Sequence, residues 1–213
     1  FQFPDLPGAL RDVLATPDVH IGPNGPSAHA ASGRGEAAPN PALSPSDTAY
    51  LEARPACYAL RATTVIDAPI EDVFPFFSRA ENLGLLTPAA MRFTIVGATP
   101  AIAAGAQIDY ALRVGPAPIA WRTEITSWEP AHRFVDAQLK GPYRSWWHEH
   151  VFRQDGRRTI MEDRVLYTPP LGWLGRLANR LFVAPTLRRI FAFRGDVIRL
   201  RFGLPQGRTQ AAA

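Results

Sequence analysis

Cysteine is almost missing from this chain. Cys57 stands alone, which excludes an internal disulfide framework and fits a reducing compartment. Long apolar runs are missing too: nothing approaches the ~18 residues of a membrane span. Residues 1–10 lack both the basic start and the apolar core of a secretory signal, so a cytoplasmic location is expected. Charge is sparse. The net value is +4, with arginine far ahead of lysine and gathered near the C-terminus. That is too thin for a nucleic-acid surface, and no nucleic-acid partner is expected. The sequence has no Gly-rich phosphate loop, no Ser nucleophile elbow and no zinc-ligand series. No cofactor is expected, and no metal, because no third ligand has diagnostic spacing. What the chain does have is aromatic bulk. Five Trp and twelve Phe among 213 residues supply a substantial core for one good-sized domain with an appendage.

The appendage is residues 1–50. A short helix over 7–14 is the one element expected there. Residues 20–46 are Pro, Gly, Ala, Ser and Asn with almost no large apolar side chains, too little buried surface to offset the entropy of ordering, so the segment reads as largely disordered. The domain is expected over 56–203, with a disordered tail over 204–213. A strand over 57–66 would hold Cys57 as a small core residue. A helix start follows, with Asp67 or Ala68 capping, Pro69 in the first turn and Glu71 at the positive end. A second short helix spans 82–86. Strands are expected over 92–96, 107–114, 119–128, 133–139, 145–154 and 158–167, separated by Gly115-Pro116, Glu129-Pro130, Gly141-Pro142 and Asp155-Gly156. After Pro169-Pro170 the period becomes helical, with Leu174, Leu177, Leu181, Leu187, Ile190, Phe191, Val197 and Ile198 in one stripe. Pro185 should break or kink that helix.

One segment carries most of the functional signal. Trp146, His148, His150 and Phe152 occupy alternate positions of a strand and so share a face. With Asp155-Gly156 as a two-residue turn, His148 faces Asp163, His150 faces Met161 and Trp146 faces Val165. An aromatic face with a few polar groups describes a ligand cavity. The candidate ligand contacts are Tyr110, Tyr143, Trp146, His148, His150, Phe152, Met161 and Tyr167. His148, His150 and Asp163 are the candidate catalytic groups: a carboxylate fixes an imidazole tautomer and tunes it for proton transfer. Two other roles fit the same three residues: ligating a metal, or satisfying one another's hydrogen bonds in a cavity wall. Ile108, Tyr110, Leu112 and Val114 form a further cavity or core face. Either face of 119–128 can point inward; if Arg122 and Glu124 do, they form a buried ion pair.

The order of elements, and three stretches within it, resembles the START-like or Bet v 1-like (SRPBCC) superfamily. Val65-Ile-Asp-Ala-Pro-Ile-Glu-Asp-Val-Phe74 resembles its first strand and helix. Asn82-Leu-Gly-Leu-Leu-Thr-Pro88 resembles the close of its short helix pair. Trp128-Glu-Pro-Ala-His-Arg-Phe134, continuing through Gly141-Pro142-Tyr143, Trp146, His148 and His150, is similar to a bacterial polyketide-cyclase-like or ligand-binding branch. The resemblance covers about residues 56–203. It implies an α+β helix-grip fold: a curved antiparallel sheet around a long C-terminal helix, with two short helices after the first strand and an apolar cavity inside. The superfamily spans carriers, receptors and cyclases, so three functions stay open. The first is binding of a small apolar or aromatic molecule, such as a lipid, quinone or polyketide-like compound. The second is a cyclase or dehydratase using His148 or His150 as general acid/base. The third is a regulatory or membrane-surface module in which Arg188 and Arg189 meet anionic headgroups.

Overall fold

The computed structural model describes residues 18–23 and 43–203. Its elements are β1 (Asp18–Pro23), α1 (Pro45–Ala53), β2 (Tyr58–Ile66), α2 (Ile70–Phe77), β3 (Thr94–Ile95), β4 (Gln107–Val114), β5 (Ala117–Glu129), β6 (Arg133–Lys140), β7 (Ser145–Asp155), β8 (Arg158–Thr168), α3 (Gly172–Ala178) and α4 (Ala184–Phe202). Two 3-10 turns, Ala80–Gly84 and Ala89–Met91, follow α2. The eight strands form one antiparallel sheet in the order β1-β2-β8-β7-β6-β5-β4-β3. The C-terminal helix lies along its inner face and buries Leu187, Phe191 and Ile198 there. This is the helix-grip architecture. Among the described residues no helix is long and apolar enough to cross a membrane.

The inner face holds two aromatic clusters. In one, α2 drives Phe74, Phe76 and Phe77 against Phe134, Phe152 and Met161. In the other, Leu60, Trp121, Trp146, Val165 and Tyr167 meet Leu187 and Phe191. The cap of α2 is Pro69 rather than Asp67 or Ala68, and no side chain caps it. Of the strand expected over 92–96 only Thr94–Ile95 forms. Positive φ at Arg92 (47°) and Gly97 (84°) turns the chain out of the ladder at both ends.

The β7–β8 hairpin turns one residue later than Asp155-Gly156 implied. Asp155 pairs with Arg158, so Gly156 and Arg157 form the turn, and Gly156 takes the left-handed φ of 60° that glycine accepts without strain. The register therefore moves by two residues: His148 faces Val165, His150 faces Asp163, Trp146 faces Tyr167 and Phe152 faces Met161. A two-residue shift leaves every side chain on its expected face.

The break expected at Pro185 is present just ahead of it, with a short helix before and a longer one after. A wide π-type turn, Asn179–Val183, joins α3 to α4 ahead of it, so the missing amide falls where the hydrogen-bond ladder is already loosened. The chain enters α3 at a close approach that only glycine fits: a Cβ on Gly175 would stand 2.0 Å from the Pro170 carbonyl oxygen.

Two parts of the segment read as disordered are ordered elements. Asp18–Pro23 adds a strand to the edge of β2. Pro45–Ala53 is a helix with a capping box: the Asp47 N–H donates to Ser44 Oγ (3.1 Å) and the Ser44 N–H to Asp47 Oδ2 (3.3 Å). This helix covers the outer face of the sheet through Tyr50 and Leu51, which pack over Trp147, Val135 and Leu166. Its anchorage is largely polar, which is why an apolar tally misses it. Asp47, fully buried, accepts from Arg133 Nη2 (3.0 Å), Thr126 Oγ1 (2.7 Å) and Trp147 Nε1 (3.0 Å). Arg133 in turn donates to Glu149 at 2.7 Å. The helix expected over 7–14, the greater part of 20–46 and the tail over 204–213 lie outside the described residues. Cys57 is exposed just before β2 and is no core residue.

Candidate functional site

Between the sheet and the C-terminal helix lies a cavity of about 460 Å³. Its walls are apolar: Ile108, Tyr110 and Leu112 from β4, Trp121 and Ile125 from β5, and Ile190 and Phe191 from α4. The face of β5 is thereby decided. Ile119, Trp121, Thr123 and Ile125 point inward until a register shift between Ile125 and Ser127 reverses the strand. Beyond that bulge Trp128 packs inward on Phe74, while Thr126 and Ser127 bond Asp47 and Arg133 on the outer face. Arg122 is exposed and holds Asp109 through two 2.8 Å bonds, so the conditional buried pair with Glu124 does not form.

Five of the eight candidate ligand contacts lie on the cavity wall: Tyr110, Tyr143, Trp146, His148 and His150. The other three are core. Phe152 and Met161 pack beneath α2, and the buried Tyr167 donates its hydroxyl to Asn179 Oδ1 at 3.0 Å. Side chains of α2 cover Phe152 and Met161, and Leu187 and Phe191 of α4 pack in the same cluster as Tyr167. Burial pushes the hydroxyls of Tyr110 and Tyr143 well above the usual tyrosine range, so both remain donors.

The polar patch of the wall is a closed cluster of two imidazoles and two carboxylates. His148 Nε2 donates to Asp163 Oδ1 at 3.0 Å, and His148 Nδ1 lies 3.4 Å from Asp136 Oδ2. His150 Nε2 meets Asp136 Oδ2 at 3.3 Å, and its Nδ1 is 2.7 Å from Asp163 Oδ1. The two rings stand 3.9 Å apart, and Phe134 stacks on His150 at 4.1 Å. Arg194 reaches from α4 to place Nη2 3.4 Å from His150 Nδ1 and 3.9 Å from Asp163. Asp163, which sequence spacing placed opposite His148, contacts both histidines but stands behind them, away from the cavity.

Asp136 and Arg194 were not among the sequence candidates. Asp136 faces His148 across the β6–β7 ladder, a register hidden by the irregular turn between those strands. Arg194 had a legible signal: Leu187, Phe191, Arg194 and Ile198 follow helical spacing, so this arginine sits on the apolar face.

The cluster separates the two imidazoles electrostatically. Burial pulls His148 down, but the Asp136 and Asp163 carboxylates outweigh it and hold it above its ordinary value. Burial and the charge of His148 push His150 below its own. Burial also raises both carboxyls. For Asp136 the His148 charge and the imidazole bonds more than offset this; for Asp163 the charge of Arg194 leads. Both are held well below the carboxylate range. A single imidazolium would balance the site, since Asp136, Asp163 and Arg194 together carry one net negative charge.

Near the cavity mouth, which Leu171 and Phe182 help to line, α3 and the wide turn expose Leu171, Trp173, Leu174, Leu177, Leu181 and Phe182. Arg176, Arg180, Arg188 and Arg189 are exposed nearby in sequence. Arg199 is buried and pairs with Asp196, so neither it nor Arg194 belongs to a solvated arginine face.

Solved structures share this fold at low identity. Protein TTHA0849 from Thermus thermophilus is 18% identical with a TM-score of 0.56, over 68% of this chain and 96% of its own. Protein CV1439 from Chromobacterium violaceum is 11% identical with a TM-score of 0.54, over 68% and 96%. A START superfamily protein from Mycobacterium smegmatis is 12% identical with a TM-score of 0.50, over 67% and 98%. No curated protein matches the chain. A family model described as polyketide cyclase/dehydrase and lipid transport matches residues 59–197, from β2 into α4. That match spans the cavity and its cluster and makes this chain a member of the polyketide cyclase/dehydrase and lipid transport family.

Proposed function

We propose that this protein binds one small apolar or aromatic molecule between the sheet and α4, with the ligand's polar end at the Asp136–His148–His150–Arg194 patch. The observation that carries the reading is the cavity itself. Its 460 Å³ falls within the ~300–1,000 Å³ of small-molecule sites, and it pairs apolar walls with one convergent polar group. Membership in a family of lipid transport and polyketide chemistry supports hydrophobic-ligand binding in general. Affinity comes from apolar burial at about 25 cal/mol per Å², and orientation from the charged donors of His148 and Arg194 and the hydroxyls of Tyr110 and Tyr143. N-phenyl-1-naphthylamine tests the cavity. Its fluorescence should saturate at one molecule per chain, and Ile190→Trp should weaken it by about 5–150-fold, the equivalent of the ~1–3 kcal/mol cost of overfilling a packed space. Unsaturable binding, or binding indifferent to that substitution, would locate the probe elsewhere.

A second reading rests on the divided imidazoles. A pair of titratable groups whose surroundings push them apart is suited to acid/base work. His148, the more basic of the two, would donate to a bound carbonyl while His150, the less basic, takes a proton from the adjacent carbon.

The apolar rim at the mouth fits loading from a lipid phase. Vesicles carrying anionic lipid should retain the protein at low salt and release it as salt rises, since each basic residue contributes about 1 kcal/mol near such a surface. Arg188→Ala with Arg189→Ala should reduce retention. Equal retention by neutral vesicles would remove the electrostatic part of this account.

A further inference from the structure

Spacing along the chain offers no third partner for His148 and His150, but the fold does. Asp136, His148 and His150 present three ligand atoms within 4.8 Å of one another. Asp136 Oδ2 is 3.4 Å from His148 Nδ1 and 3.3 Å from His150 Nε2. A four-coordinate ion with bonds of about 2.0–2.1 Å separates its ligand atoms by roughly 3.3–3.4 Å, the edge of the corresponding tetrahedron. Both O–N distances already have that length, and the third edge, between the two nitrogens, is no longer than 4.8 Å, so side-chain adjustment alone closes the donors on an ion.

The support behind the donors has the same logic. A metal-ligating imidazole donates its other N–H to a carboxylate, which fixes the tautomer and raises the basicity of the ligating nitrogen. Asp163 stands in that position for both rings at once, 3.0 Å from His148 Nε2 and 2.7 Å from His150 Nδ1. With its proton on Nδ1, His150 has an acceptor in place and offers Nε2 as a lone pair. Asp163 is 3% exposed and absent from the cavity wall, whereas the three donors line it. The position left open in a four-coordinate ion thus faces the apolar cavity. Arg194 Nη2 approaches His150 at Nδ1 (3.4 Å) and Asp163 at 3.9 Å, on the ring edge away from the ligating Nε2. With neutral imidazoles the group of Asp136, Asp163 and Arg194 carries one net negative charge, which favours a cation.

We infer that Asp136, His148 and His150 form a binding site for a first-row divalent metal, with Zn²⁺ or Co²⁺ in four-coordinate geometry, and that Asp163 is the carboxylate orienting both imidazoles. Two nitrogens and one carboxylate exclude Mg²⁺ and Ca²⁺, which prefer oxygen donors throughout. Protons compete for the same lone pairs, so affinity rises with pH. The inference shares the cavity with the apolar-ligand reading but does not depend on it, since metal alone reads the donors and the naphthylamine alone reads the walls.

The test is a titration of the full chain, stripped of metal by chelator, with Co²⁺ alone. The expected result is one ion per chain with the intense visible absorption of four-coordinate cobalt, displaced by Zn²⁺. Asp136→Asn should abolish the spectrum. Asp163→Asn keeps all three ligands and should weaken binding by about 10–100-fold. Wild-type protein that binds no Co²⁺ or only pale six-coordinate Co²⁺, or binding unchanged in Asp136→Asn, would overturn the inference. The wild-type spectrum decides even where a variant does not fold.

Discussion

Replacing Asp47 with Ala is expected to cost about 3–5 kcal/mol, the penalty for breaking a buried ion pair by removing one partner. Asp47 and Arg133 are both essentially inaccessible to solvent, with side chains 0% and 1% exposed. Arg133 keeps Glu149 and Glu129, but Trp147 Nε1 and Thr126 Oγ1 lose their acceptor and the Ser44 N–H loses its cap. Domains have only about 5–15 kcal/mol of stability in all, so the loss is a large fraction. Urea unfolding followed by circular dichroism measures it; a change under ~1 kcal/mol would mean α1 is not held as described. The pH dependence follows from the same carboxyl. Burial raises it, but bonds from Thr126, Trp147, Ser44 and Arg133 outweigh burial, so its folded pKa lies below the ordinary value. A lowered folded pKa gives stability that is complete above the unfolded value of ~3.9 and drains away as pH falls through the folded value. Wild-type protein should therefore lose stability more steeply in acid than Asp47→Asn, which lacks that contribution at every pH.

A change of His148 to Gln is expected to separate binding from catalysis. 2-Tetralone, an apolar ketone with exchangeable α-hydrogens, suits both the cavity and the chemistry. If His148 and His150 move protons, wild-type protein in D₂O exchanges those hydrogens for deuterium. His148→Gln should then slow exchange by about 10²–10⁴-fold, the usual contribution of a positioned acid or base. Its naphthylamine affinity should change far less, since the apolar walls are intact. Proton NMR of the ketone follows the exchange. Exchange in wild-type protein no faster than in the variant would leave binding as the function of the site.

The two histidines, the face they share and the antiparallel scaffold were readable because strand alternation is a strict period of two. That period survived a turn placed one residue early, because the resulting two-residue register shift keeps His148 and His150 inward and still within reach of Asp163. Long-range partners were not readable. Asp136 depends on how β6 aligns with β7, and the bulge in β5 that turns Trp128 inward leaves no signature in spacing. Arg194 was readable as a charge on an apolar helix face and was passed over as one arginine among many. The helix Pro45–Ala53 was the clearest loss. Ser44-Pro-Ser-Asp47 is a capping sequence, but its surroundings are poor in apolar residues, and what orders it is a buried carboxylate whose partners lie 79 to 100 positions away.

A binding protein of this kind holds a molecule in its cavity. Native mass spectrometry of the full chain, purified from cells without detergent or organic solvent, measures this directly. The protein should carry one apolar molecule of discrete mass at near-unit occupancy, reduced in Ile190→Trp. A bare protein mass, together with no saturable binding of N-phenyl-1-naphthylamine, would contradict it.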